Sequence, residues 1–363
     1  MTSNQIVILH GTHYQEMAVE LCTKIDLASD IGARTTRIGI KPNLVLDASA
    51  DSGATTHPEL VAGVLDYLHA CGFTNICVLE GAWVGASTAA AYRASGIGQV
   101  CQVRGVPYYD LQKDSSTTVD AHGIPIKVCD RIQEIDYLIN MPVMKGHCQT
   151  RVTCALKNAK GLIPNSEKRR FHTLGLHRPI AHLNTVVPEG LVLVDNICGD
   201  LDFEEGGNPV AMDRIFCCKD PVLCDAYVCE CLGYQVDDVP YIRMAEQLGV
   251  GCADTGSAEI ISLNQGTGQS KQKMTRRIQA LAAYVAPKDA CSACYGALLY
   301  ALDRLDASGG LRGKKEKISI GQGYKDQPGI LGVGTCTRHF ACNLAGCPPK
   351  TDEIIRFLEE NWK

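Results

Sequence analysis

Six short runs rich in β-branched residues, Ile6–Leu9, Arg37–Ile40, Ile76–Glu80, Ile135–Pro142, Leu191–Asp195 and Ile260–Leu263, recur along the chain with helical periodicity between them. Parallel strands need a crossover of a dozen or more residues, usually a helix, so this rhythm restricts the chain to an α/β architecture: a mainly parallel sheet covered by helices. The clearest helix follows Thr56. Thr56 and Glu59 have capping-box spacing, Pro58 suits a first turn, and Leu60, Val61, Val64, Leu65 and Leu68 form one apolar stripe that should stop near Cys71–Gly72.

The polar Gly/Gln/Ser-rich stretch Asn264–Lys273 marks the end of a first domain, 1–263. Residues 264–290 read as a linker with a helical segment, Met274–Ala286. Residues 291–363 read as a small C-terminal α/β unit: helix Cys294–Leu305, strands Ile318–Gly321 and Ile330–Val333, cysteine-bearing loops, and a last helix from about Thr351.

With a net charge of −5 and no Lys/Arg cluster interleaved with aromatics, the chain lacks the electrostatic footprint of a nucleic-acid binder. Met1–Leu9 has no charged leader and no stretch stays apolar for the thickness of a bilayer, so no membrane partner is expected and the expected location is cytoplasmic. The chain has nineteen cysteines. Those scattered through strand and helix patterns, such as Cys71, Cys77, Cys224 and Cys229, fit small buried apolar residues of a reducing compartment.

The C-terminal cysteines need their own explanation. Cys291-x-x-Cys294 is followed by Cys336, Cys342 and Cys347-Pro348-Pro349. A C-x-x-C turn points two thiolates at one metal centre, and Gly334-Thr335-Cys336 after a strand and Gly346-Cys347-Pro348 before a helix supply two more. The expected cofactor is a single [4Fe-4S] cluster on Cys291, Cys294, Cys336 and Cys347, with Cys342 as reserve ligand. Structural zinc and a redox disulfide are the rival readings; zinc ribbons normally pair two similar C-x-x-C units, which this spacing does not. Gly334–Pro349 is locally similar to the cluster-binding pieces of hydrogenase small subunits and their complex I relatives.

Polar residues also sit where apolar strands end, the edge at which parallel sheets place their chemistry. They are Lys41-Pro42-Asn43, Glu80-Gly81, and Lys145-Gly146-His147, continued by Thr153, Lys157-Asn158, Gly161, Arg170, His172 and His177. Cations and imidazoles with little carboxylate suit a small anionic ligand, whereas solvated loops with satisfied histidines are the plainer alternative. Asp195, closing its strand, suits a metal or the orientation of a lysine; Asp200 and Asp202 read as turn residues.

Lys41-Pro42-Asn43, Thr55-Thr56-His57-Pro58-Glu59, Lys145-x-His147, Leu156-Lys157-Asn158 with Gly161, and Arg170-Phe171-His172 together resemble the domain-of-unknown-function 362 family over roughly Ile6 to Gly251. The resemblance implies this architecture with an added iron–sulfur region, and leaves the reaction open. The domain is also distantly similar to nickel-dependent lactate racemases, in fold and site position only. The ferredoxin run C-x-x-C-x-x-C-x-x-x-C-P is missing, which argues for one cluster rather than two.

The expectation is an iron–sulfur enzyme whose cluster faces a cationic pocket. In it Lys145, His147 and Lys157 are catalytic, and Lys41, Asn43, Asn158, Arg170 and His172 bind a small anionic substrate. Redox chemistry with a partner protein is favoured over a lyase or hydratase with an open iron. The alternative from another class is a non-catalytic electron or cluster carrier.

Overall fold

The structure, a computed structural model, describes residues 1–201, 204, 206, 209–266 and 277–362. They divide into two compact units, Met1–Lys168 with Leu176–Lys273, and Arg169–Gly175 with Met274–Lys363.

The first unit is built on an eight-stranded sheet. Its strands are β1 (Gln5–His10), β2 (Ile38–Pro42), β3 (Ile76–Glu80), β4 (Tyr108–Asp110), β7 (Tyr137–Met141), β10 (Glu189–Asp200), β11 (Pro209–Cys218) and β12 (Glu259–Ser262), in the order β12-β1-β11-β10-β7-β2-β3-β4. Two hairpins stand apart from it: β5 (Ser116–Ala121) with β6 (Ile124–Cys129), and β8 (Lys145–His147) with β9 (Arg151–Thr153). All six expected strands are present, and the pairs β10·β7, β7·β2, β2·β3, β3·β4 and β1·β12 are parallel. The exception is β11, antiparallel to both β1 and β10 in mid-sheet. Its first half alternates between exposed and half-buried residues, so it carries no continuous apolar run to announce it.

The helix Pro58–Ala70 buries Leu60, Val61, Val64, Leu65 and Leu68 completely, each worth roughly 1.5–3 kcal/mol of apolar burial. The expected capping box does not form. Thr56 Oγ1 donates instead to Met141 O (2.8 Å) and accepts from Asn43 N (2.7 Å), and the first turn is capped by Asp195, whose Oδ2 accepts from His57 N at 2.7 Å.

The second unit holds a parallel four-stranded sheet, β13 (Val285–Pro287), β14 (Ile318–Ile320), β15 (Gly329–Val333) and β16 (Phe340–Leu344), with helices Ser292–Ala307 and Thr351–Asn361. Two expectations are corrected here. Of the helix read over Met274–Ala286, residues 274–276 lie outside the described residues, Arg277–Ala282 is helical, and Val285 and Ala286 belong to β13, which pairs with β14. This stretch is therefore part of the second sheet's unit rather than a linker, and Cys342 lies in a strand rather than a loop. Of the boundary stretch Asn264–Lys273, residues 267–273 lie outside the described residues.

Candidate functional site

Because β2, β3 and β7 are parallel neighbours, the residues at their ends share one edge; Lys41 lies in register with Asn140. Lys41 Nζ donates to Glu80 Oε2 (2.7 Å), Asn158 Oδ1 (3.0 Å) and Pro42 O (3.0 Å), which uses all three of its protons. Asn43 Nδ2 donates to the same Asn158 Oδ1, and Asn158 Nδ2 to Asn140 Oδ1. Lys168, which no sequence motif singles out, donates to the carbonyls of Gly81 and Ala82, and its burial pushes it down to about 8. Burial likewise lowers Lys41, against the attraction of Glu80. This group is a buried network in which every donor of Lys41 is engaged while Asn43 Oδ1 has no partner, and a buried charge pair depends on such engagement. Glycine is required beside it: a Cβ on Gly161 would stand 1.8 Å from Glu80 Oε1.

Lys157, next to Asn158 on the helix Ala155–Asn158, belongs to a second group with the β8 residues Lys145 and His147. Here the partner is Glu204. Lys157 Nζ pairs with Glu204 Oε1, His147 Nε2 lies 2.8 Å from Glu204 Oε2, and Lys145 Nζ donates to Glu204 O (3.0 Å) and Ala54 O (2.6 Å). The backbone N–H groups of Gln149 and Thr150 both donate to His147 Nδ1 at 3.0 Å. That nitrogen is therefore the acceptor and the ring proton sits on Nε2, which lies close to the carboxylate without a directed hydrogen bond to it. Burial and then the Lys157 charge push His147 down to about 4, with Glu204 pulling weakly the other way. Burial works to raise Glu204, but Lys157, His147 and Lys145 hold it well below the usual carboxylate range. At neutral pH His147 is thus a fixed neutral N–H donor rather than a proton acceptor.

A third pair joins His57 and Asp195, with Nδ1 to Oδ2 at 2.8 Å and the Tyr14 ring edge-on to the imidazole at 5.6 Å. Asp195 orients a histidine, where a lysine was expected. Burial tends to lower His57, but the Asp195 charge prevails and raises it. Among the described residues, Cys154, Cys224 and Asp225 bring their ligand atoms within 4.8 Å of one another. Asp225, pushed up to about 7 by burial, accepts from Leu156 N at the start of the Ala155–Asn158 helix, a capping role.

In the second unit, burial raises the Cys294 thiol first, and the charges of Cys291, Cys347 and Cys336 raise it further. Thus the four thiols expected as ligands act on one another, while Cys342 sits in β16 opposite Leu331 of β15. The Cys336 and Cys347 segments are tied together: Gly334 N donates to Leu344 O (2.7 Å), Thr335 N to Gly346 O (2.9 Å), and Gly346 N to Thr335 Oγ1 (3.2 Å). Gly334 adopts φ +97°, which a side chain would oppose. Gln322 Nε2 lies 3.6 Å from Cys291 Sγ as a donor, and Lys325 offsets the burial that raises Cys336.

The residues selected from sequence therefore separate. Lys145, His147 and Lys157 converge; Lys41, Asn43 and Asn158 form the neighbouring buried network; Arg170 and His172 lie on the helix Asn165–Thr173, in its part belonging to the second unit. Glu204 was missed because its acidic, glycine-flanked stretch reads as a surface turn.

An α/β sheet with polar centres at its parallel strand ends defines the class of protein. Residues 38–230 match the domain of unknown function DUF362, and the chain belongs to that family. It is also similar to a thylakoid-associated protein of Synechocystis sp., 24% identical over 136 residues. That match covers 38% of this chain and 42% of the relative.

Proposed function

We propose that this chain is an iron–sulfur enzyme, holding one [4Fe-4S] cluster on Cys291, Cys294, Cys336 and Cys347 of its second unit and acting on a small anionic substrate bound in its first. The observation that carries the reading is that the four cysteines stand on three segments of one compact unit, two of which, around Gly334–Cys336 and Gly346–Cys347, are tied to each other by hydrogen bonds. Four soft thiolates of this kind suit an iron–sulfur cluster, with the loops around Gly334 and Gly346 letting backbone approach it. A bound cluster supplies one-electron transfer, to substrate or to a partner protein.

Lys145, His147 and Lys157 are buried and meet on one glutamate, Lys157 and His147 at its carboxylate and Lys145 at its backbone oxygen, an arrangement that a carrier has no use for and an anion-binding enzyme does. In this reading they bind and orient the substrate's charge, with the His147 Nε2 proton and the two ammonium groups as donors. We place the protein in the cytoplasm, supported by the many reduced cysteines buried in the first unit, Cys22, Cys101, Cys217 and Cys229 among them; among the described residues no helix is long and apolar enough to cross a membrane.

Anaerobic purification should yield brown protein with about four iron and four sulfide per chain, and a signal in electron paramagnetic resonance after reduction. Colourless protein with one zinc would overturn the proposal. Single Cys→Ser changes at the five positions should each lower iron content, with Cys342→Ser lowering it least.

A further inference from the structure

The buried carboxylate of Glu204 is held as a ligand would be held. Its two oxygens are divided between two neighbours, Oε1 paired with the Lys157 ammonium and Oε2 2.8 Å from His147 Nε2, while Lys145 holds the backbone oxygen of the same residue. Two of these three groups, His147 and Lys145, are also held by partners other than Glu204. The two backbone N–H groups on Nδ1 fix the His147 tautomer, and Ala54 O holds Lys145. Donors preset in a dry site attract whichever anion fits them.

We propose that Glu204 is the site's internal anion, occupying the position of a substrate carboxylate, and that carboxylate ligands enter in competition with it. This rests on the reading of the first unit as an anion site. A carboxylate is the class favoured because the donors offer one planar two-oxygen seat, and His147 adds a hydrogen but no charge. A phosphate, with more oxygens and up to two charges, would leave acceptors unmet there.

Acetate and inorganic phosphate are the probes, added to full-length wild type, Glu204→Ala and Glu204→Gln. Thermal midpoint and the ring 15N resonances of His147 are the readouts. Acetate should raise the midpoint of Glu204→Ala and shift the His147 resonances at concentrations about tenfold lower than wild type requires, since the internal competitor is gone. Lys157→Met in the Glu204→Ala background should abolish the response. Glu204→Gln, which keeps the shape and loses the charge, should fall between the two and covers the case in which the alanine variant does not fold. Equal acetate responses in wild type and both variants would overturn the inference, as would failure of both variants to fold, which makes Glu204 a structural counter-ion. Uptake of phosphate in preference to acetate also overturns it, while leaving the anion site in place. No response to either anion in any folded variant removes the anion site itself.

Discussion

Two histidines of this chain have opposite settings, and each is decided by what faces its Nδ1. His57 has a carboxylate there, so Asp195→Asn should lower its pKa, as followed by proton NMR titration. His147 has two backbone donors there, which forbid a second proton. Its unfolded value of 6.5 falls to about 4 on folding, so below pH 6.5 the unfolded chain takes up the proton first. Its contribution is complete above pH 6.5 and is lost as pH falls towards 4, roughly 3 kcal/mol at the limit. Urea denaturation at pH 7 and pH 5 should show that loss in wild type and a smaller one in His147→Asn. Gln322→Leu, by removing an N–H donor from the Cys291 sulfur, should lower the midpoint potential of the proposed cluster at unchanged iron content. At this scale the sequence was readable wherever a residue type has few uses, as with Lys145-x-His147, which the structure brings together with Lys157. It was silent on Glu204 and Lys168, because charged residues in a polar stretch or an amphipathic helix look the same whether they point inward or outward.

Among the elements, the short helix Ala155–Asn158 and the turn after it position both polar groups, since Lys157 serves one, Asn158 the other, and Gly161 backs the Lys41–Glu80 pair. Gly161→Ala should therefore cost about 3 kcal/mol or more in thermal or chemical unfolding, because the intruding methyl meets a buried carboxylate that has no room to retreat. Most of the strands that were legible are buried on both faces, the mark of a strand covered on both sides by helices; β12 is the exposed exception, read from its Ile260–Ile261 pair. The strand β11 was not, because Asp213 and Arg214 interrupt it. Likewise β13, only three residues long, was absorbed into the helical reading of the segment before it. The first turn of the helix Pro58–Ala70 looked self-capped, and is held instead by Asp195 from 138 residues away in sequence. Local spacing does not reveal such a partner.

On the scale of the whole molecule, the family match over residues 38–230 spans β2 to β11, the strands whose ends carry the polar groups of the first unit. The placement of β1 has a consequence for how the protein comes to exist. Among the described residues its neighbours in the sheet are β11 and β12, which begin at Pro209 and Glu259. During synthesis β1 thus waits with both edges unpaired until the chain beyond Pro209 has emerged. β2, β3 and β4, by contrast, find parallel partners among themselves early. The nascent chain accordingly carries an apolar strand, Ile6–Leu9, that must be shielded from neighbouring chains for most of its translation.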